Sequence, residues 1–358
     1  MHLAYFITPH GFGHAARACA VMIALQKIES SIHFDIFTTI PEWFFHESGI
    51  VSFTYHKIVT DIGLIQHNAF EEDLEETSKA LHRFIPFSRD LVSGLAEHLQ
   101  QLGTRLVLCD IAPLGLSIAA QAKIPSVLIE NFTWDWIYNG YTVNDQQWPQ
   151  MIHYLHEQFQ KATCHIQTRP VCLPVSCDLE TEPVSRPTRS PSSIRPRLGI
   201  SPEEKMILIT LGGIEGQMDH FLPPHFPDHW ILVFPGAARN CQRDGNILRL
   251  PHHHGFFHPD LVSAADVVIG KLGYSTLAEC YHTGTPFAFI PRDHFPESVP
   301  LTNFVLERMH GIRIDPANFI HGHWIDQLAT LVNSPTIKRS APNGADQIAD
   351  FILDRFFP

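Results

Sequence analysis

Short continuous apolar runs alternate along the chain with longer segments whose apolar positions recur every three or four residues. The first pattern predicts strands buried on both faces, and the second predicts covering helices. Leu3 to Thr8 reads as a strand, Ala15 to Lys27 as an amphipathic helix with Ala18, Val21, Met22 and Leu25 on one side, and His33 to Thr38 and Val51 to Tyr55 as further strands. Asp61 to Ala69 reads as a loop, and Phe70 to Leu102 as helix broken near Pro86. Strands at Arg105 to Cys109, closing on Asp110, and at Ser126 to Ile129 flank a helix at Pro113 to Ala122. Asn131 to Tyr141 reads as an aromatic-rich loop and Gln147 to Lys161 as helix. Later strands are expected at Met206 to Leu211, Trp230 to Phe234, Asn246 to Leu250, Asp266 to Ile269 and Phe287 to Ile290. Helices are expected at Leu261 to Ala265, Leu277 to His282, Leu301 to Met309, Trp324 to Val332 and Ala345 to Phe356. This alternation is the signature of an α/β protein with doubly wound parallel sheets.

The pattern breaks once. From Arg169 to Arg197, six prolines from Pro170 to Pro196 punctuate a polar run that reads as an irregular linker. It divides the chain into 1–168, a linker 169–197, and 198–358. Two α/β halves imply a cleft, where ligands commonly bind.

Composition adds limits. The 358 residues suffice for two cores, and 44% hydrophobic with 17% charged residues is a globular balance. The net charge of -12 disfavours nucleic acid and anionic membranes, and favours a soluble acceptor over a lipid one. With 24 histidines, surface charge changes below neutral pH. Seven cysteines with no C-x-x-C pair argue against a disulfide framework or cysteine zinc site and suit a reducing compartment. No basic leader and no bilayer-length apolar run are present in these residues, so the expected location is cytoplasmic.

Two loops carry candidate chemistry. Gly270-Lys271-Leu272-Gly273-Tyr274-Ser275-Thr276-Leu277-Ala278-Glu279 joins a strand end to a helix start. Free N–H groups and the positive dipole end could hold a phosphate there, with Glu279 one turn on to accept from a ribose. An ordinary junction with Ser275 as helix cap and Glu279 in a capping role fits as well. In the other loop, Gly11, Gly13 and Ala16 satisfy G-x-G-x-x-A, but the second strand ends in Thr38-Thr39 rather than the acid a dinucleotide site needs. His14 in that loop and Asp110 at another strand end could form an oriented imidazole, a general base for a hydroxyl near neutral pH. Helix-start and cap roles remain the alternative for each. Phe132, Trp134, Trp136, Tyr138 and Tyr141 could line an acceptor site or pack a domain interface. His252, His253 and His254 with His258 do not make a metal set: consecutive strand residues face opposite ways, and no carboxylate or cysteine completes them. No metal is expected.

Together these features resemble the GT-B superfamily of nucleotide-sugar glycosyltransferases, two Rossmann-like doubly wound domains facing a central cleft. Gly13-His14 is similar to the glycine–histidine turn of plant-type UDP-glycosyltransferases and of the lipid-linked N-acetylglucosaminyltransferase of peptidoglycan synthesis. The resemblance implies that His14 is the acceptor's base, oriented by Asp110, with His10 and Trp134 beside the acceptor. It implies a donor site in which Thr276 meets the pyrophosphate with Ser275, Gly273 and Lys271, Glu279 meets the ribose, Gly212-Gly213 completes the phosphate cradle, and His254-Gly255 borders the nucleobase. Where plant-type enzymes hold the sugar with an acid–glutamine pair, this chain has Asp293, Glu297 and Asn303 but no glutamine. A resemblance running through nearly the whole chain is to the glycosyltransferase-like N-terminal region of plant L-arabinokinases. It is carried by His10 to Arg17, Asn131 to Tyr138, Gly270 to Tyr274, Arg292-Asp293 and Gly322-His323-Trp324; the sugar-kinase half of those proteins is not matched, so kinase activity is not implied.

The expectation is thus an inverting glycosyltransferase with no cofactor beyond its nucleotide-sugar substrate, UDP-sugar foremost. The N-terminal domain binds the acceptor and the C-terminal domain the donor, the last helix having the option of packing back on the N-terminal domain. A non-catalytic nucleotide-sugar-binding module, or an epimerase or hydrolase on the same fold, are the alternatives.

Overall fold

The structure is a computed structural model and describes residues 1–68, 71–210, 222, 223, 225–251, 255–337 and 339–358. It divides into two compact units: Met1–Ser185 with Phe295–Glu297 and Pro342–Pro358, and Arg186–His294 with Ser298–Ala341.

In chain order the first unit contains β1 (His2–Ile7), α1 (Phe12–Ile28), β2 (His33–Thr38), α2 (Trp43–Ser48), β3 (Phe53–Lys57), β4 (Gln66–Asn68), β5 (Glu71–Glu72), α3 (Leu74–Phe84), α4 (Arg89–Gln101), β6 (Leu106–Asp110), α5 (Pro113–Ala122), β7 (Ser126–Glu130), α6 (Trp134–Asn139), α7 (Trp148–Phe159), β8 (Cys164–Thr168) and β9 (Leu179–Thr181). Seven strands form one parallel sheet in the order β3-β2-β1-β6-β7-β8-β9. Leu3 to Ile7 and Leu106 to Asp110 are wholly buried, as central parallel strands covered on both faces must be. The order reverses between β1 and β6, so the loops after these strands open at the switch point, where doubly wound sheets bind ligands. Those loops carry His14 and follow Asp110.

The second unit contains α8 (Ile194–Leu198), β10 (Lys205–Thr210), β11 (Trp230–Ala238), β12 (Gln242–Asp244), β13 (Ile247–Pro251), α9 (His258–Ala264), β14 (Val267–Lys271), α10 (Tyr274–Thr283), β15 (Phe287–Ile290), α11 (Ser298–Arg308), β16 (Gly311–Arg313), α12 (Pro316–Ile320) and α13 (Ile325–Val332). Its sheet runs β12-β13-β11-β10-β14-β15-β16, parallel except for β12. The switch point lies between β10 and β14, and the loop after β14 leads into α10.

Three expectations change. The linker 169–197 is not irregular throughout: Leu179–Thr181 pairs with β8 as an edge strand, and helical turns cover 191–198. The boundary falls after Ser185, and 295–297 and 342–358 belong to the first unit, where α14 (Gly344–Phe356) packs on α1 through Ala345, Ile348, Ala349 and Ile352. The aromatic segment is not a loop but contains α6, and Phe132, Trp134 and Tyr138 are core residues of the first unit. Among the described residues no helix is long and apolar enough to cross a membrane, and none of the seven cysteines forms a disulfide.

Candidate active site

The first loop is shaped by Gly11, which precedes α1 with φ of 79°, a region that favours glycine. His14 follows in the first turn of α1, its side chain 12% exposed. Asp110 ends β6 with no exposure, and its Oδ1 lies 3.0 Å from His14 Nδ1. With Nδ1–H donating to the carboxylate, Nε2 is left as the basic nitrogen.

Arg17, one turn further along α1 and 1% exposed, claims the same carboxylate. Its Nε donates to Asp110 Oδ2 and its Nη2 to Oδ1, both at 2.7 Å. Its Nη1 donates to Asn131 Oδ1 at 2.7 Å, and Asn131 Nδ2 donates to Glu297 Oε1 at 2.8 Å. Burial by itself would raise the Asp110 pKa; Arg17 and His14 outweigh it and hold the carboxyl below its ordinary range. The sequence offers Arg17 only as a weak candidate for neutralising a pyrophosphate, and Asn131 no site role beyond the resemblance segments. The available signal was the spacing His14 to Arg17, which places both on one face of a helix.

Asp61 is a second buried carboxyl nearby. Thr8 Oγ1 donates to its Oδ1 at 2.7 Å. Burial pushes its pKa up to about 8, the Asp110 charge adding to the effect while Thr8 and the Trp134 indole oppose it. His10 Nδ1 accepts from the Leu64 backbone N–H at 3.3 Å, so the neutral ring carries its proton on Nε2. The His10 ring meets Trp134 edge-on at 5.1 Å, and His14 lies 6.4 Å from the same indole. Trp134 is 1% exposed, so it is a wall behind the two histidines rather than an open stacking platform.

In the second unit, the N-cap of α10 is Gly273 in extended conformation, with no side-chain cap. Ser275 is therefore inside the first turn and does not cap the helix. Among the described residues, a Cβ on Gly273 would meet nothing within 4 Å, so none of them blocks the approach to these N–H groups. Gly270 differs: a Cβ there would lie 2.4 Å from the Thr210 carbonyl oxygen, so this glycine serves strand packing. Lys271, Ser275 and Thr276 are partly exposed around the turn.

Glu279 is not an open carboxylate. It is buried; Arg186 Nη2 donates to Oε1 at 3.1 Å, and His258 Nδ1 lies 2.7 Å from Oε2. Burial raises its pKa, but His258 and Arg186 together bring it below the usual value. Gly255, exposed with φ of 67°, accepts from Arg197 Nη2 through its carbonyl at 3.3 Å, and the Arg197 guanidinium lies over Phe256. Gly212, Gly213 and His254 lie outside the described residues.

The three residues expected to hold the sugar fall in both units. Glu297 belongs to the first unit and is bonded to Asn131, which corrects its assignment to the donor domain. Asp293 is exposed and paired with Arg313 at 3.4 Å, and Asn303 is exposed on α11.

No family model matches the chain. Solved structures that share its architecture include glycosyltransferases. The calicheamicin glycosyltransferase CalG4 superposes with a TM-score of 0.64 at 14% identity over 99% of both chains. The glycosyltransferase VinC, in complex with dTDP, superposes at 0.61 and 13% identity over 99% of this chain and 96% of its own. The fold is therefore GT-B, two Rossmann-like parallel-sheet domains. The chain is also 26% identical over 356 residues to the L-arabinokinase of Arabidopsis thaliana. The match covers 98% of this chain and 34% of that protein, so the chain spans about a third of its relative's length.

Proposed function

We propose that this chain transfers a sugar from a nucleoside-diphosphate sugar to an acceptor hydroxyl, with inversion at the anomeric carbon. The observation that carries the reading is the 3.0 Å contact between His14 and the buried Asp110 at the switch point of the first sheet. The acceptor O–H gives its proton to His14 Nε2, and the oxygen bonds to the anomeric carbon. The bond from that carbon to the diphosphate oxygen breaks, and the nucleoside diphosphate leaves with the electron pair. The open N-terminus of α10, with Ser275 and Thr276, meets the diphosphate charge, so the reading asks for no metal ion. Glu279, held by Arg186 and His258, fixes the turn beneath the ribose.

UDP-sugars are the first donors to test and dTDP-sugars the second, because VinC holds dTDP on the same fold. Wild type and His14→Gln are incubated with each donor and with cell extract as acceptor source. The variant is expected to lose about 10²–10⁴ in rate. It keeps the thermal shift by nucleotide, which at 100 times the dissociation constant corresponds to about 2.7 kcal/mol. Unchanged turnover in His14→Gln refutes the mechanism.

Arg17 favours a second reading, a nucleotide-sugar-binding module without transfer, because both Asp110 oxygens are already bonded to a guanidinium. Nucleotide binding with no turnover in any extract would select it. Acceptor-free turnover would select an epimerase or hydrolase.

A further inference from the structure

At the start of the first sheet, away from the strand ends that lead to His14 and carry Asp110, histidines gather round one buried carboxylate. His2 opens β1 and His33 opens β2, and the parallel register sets them side by side with ring centroids 4.8 Å apart. Asp35 lies two residues past His33, so it shares that face of the sheet. A donor atom from each of the three lies within 4.8 Å of the other two. We propose that His2, His33 and Asp35 bind a zinc ion.

The charge of Asp35 carries the argument together with this convergence. Its side chain is 1% exposed; Oδ2 is 2.9 Å from His2 Nδ1, and Oδ1 is 3.2 Å from His56 Nε2. Among the described residues its ion-pair partners are these histidines, and no lysine or arginine joins them. A neutral imidazole offers a hydrogen bond but no charge, so at neutral pH the buried carboxylate lacks a full counter-charge. A cation between the carboxylate and the rings supplies it. The donor set selects the cation: magnesium and calcium take oxygen ligands, whereas two imidazoles and a carboxylate suit zinc.

The His2 side chain, 40% exposed, opens the site to solvent. On binding, its Nδ1 takes the metal and the ring proton moves to Nε2. His33 has Nδ1 2.9 Å from Ser52 Oγ and Nε2 2.8 Å from Thr54 Oγ1, so the nitrogen that does not bind metal can donate to a hydroxyl. His56 stays outside the three ligands and fixes the carboxylate through Oδ1. Zinc bonds of about 2.0–2.1 Å place tetrahedral donors about 3.3 Å apart. The three donors here are at most about 1.5 Å wider than that, a gap that rotation of two part-exposed rings closes. Water takes the fourth position. His2 and Ile7 are the two ends of β1, about 16 Å apart, so the ion does not touch the transfer site and the proposal does not rest on that reading.

The test is calorimetric titration of the untagged full chain, stripped with EDTA and desalted, with zinc chloride and separately with magnesium chloride. A saturable zinc site that magnesium does not fill is expected. His2→Ala changes a part-exposed ring, so folding is kept while zinc affinity at this site falls about a hundredfold or more. His56→Gln, outside the ligand set, weakens it about 10–100-fold. Cobalt(II) in the site shows the visible absorption of a tetrahedral ion, and His2→Ala loses it. The double variant His252→Gln, His253→Gln, in the histidine tract, leaves zinc binding at this site as in wild type. The proposal is overturned if zinc binding does not saturate, if magnesium binds as well as zinc, if His2→Ala binds zinc like wild type, or if the tract variant rather than His2→Ala removes the binding.

Discussion

Arg17→Met tests the centre of the first unit. Methionine keeps an apolar stem in the same channel and removes the guanidinium. Three hydrogen bonds of 2.7 Å are lost, two to Asp110 and one to Asn131. Asp110, fully buried, is left with His14 alone at 3.0 Å. Removing one partner of a buried pair costs about 3–5 kcal/mol, because the other charge stays desolvated. In a unit of roughly two hundred residues, that lowers the melting temperature by about 6–20 °C. Differential scanning calorimetry reads it on the transition of the first unit. The pH dependence adds a signed check. In wild type the Asp110 pKa is depressed, so its contribution is present above the ordinary value of 3.8 and is lost as pH falls through the folded value. Without Arg17 burial dominates and the folded value rises, so stability instead falls as pH climbs above 3.8. Adding Asp110→Asn removes the stranded charge, and the double variant is expected to recover part of the loss. A single variant within about 1 kcal/mol of wild type, or a double variant whose loss equals the sum of the singles, would refute the account of a clamped carboxylate.

Three other outcomes follow from the same geometry. Asp61, raised to about 8, makes wild-type stability fall as pH rises from its ordinary 3.8 toward that value; Asp61→Asn flattens the urea-midpoint profile, removing a penalty on the order of 5 kcal/mol at most, and parallel profiles contradict it. Gly270→Ala drives a Cβ against the Thr210 carbonyl and costs about 1–3 kcal/mol in denaturant titration. Gly273→Ala meets none of the described residues within 4 Å, so it leaves stability within about 0.5 kcal/mol yet weakens the thermal shift by UDP or dTDP; equal behaviour of the two alanine variants would undo the distinction. Glu279→Gln strands Arg186 and His258 and lowers the melting temperature of the second unit, the loss corresponding to about 3–5 kcal/mol; a variant that melts like wild type would show that the triad is not formed in solution.

Much of the strand–helix order was legible because apolar periodicity is a local signal. The helix at Pro113–Ala122 and the strand at Phe287–Ile290 fall where the pattern puts them. Errors cluster where tertiary contacts override local composition. The Pro-rich stretch looks like a linker, yet Leu179–Thr181 finds a partner in β8 and becomes sheet. The aromatic segment looks like a loop that lines an acceptor site or packs a domain interface, yet Phe132, Trp134 and Tyr138 fill the core of the first unit. The chain also returns to that unit twice: the return of 342–358, with the last helix, is the option the sequence leaves open, whereas no feature of linear order marks the return of 295–297.

The sequence by itself determined the fold class, the two glycine-bearing turns and the candidate pair His14 and Asp110, because each depends on short-range pattern and residue type. Only the tertiary structure decided what those residues meet. It gave Asp110 to Arg17 as well as to His14, closed Glu279 between Arg186 and His258, and moved Glu297 to Asn131. Among the described residues it also left Gly273 without a close neighbour on its Cβ side, while Gly270 packs against the Thr210 carbonyl. The physical reason is that the charge state and accessibility of a buried group depend on partners brought from distant parts of the chain, and residue spacing carries no record of them.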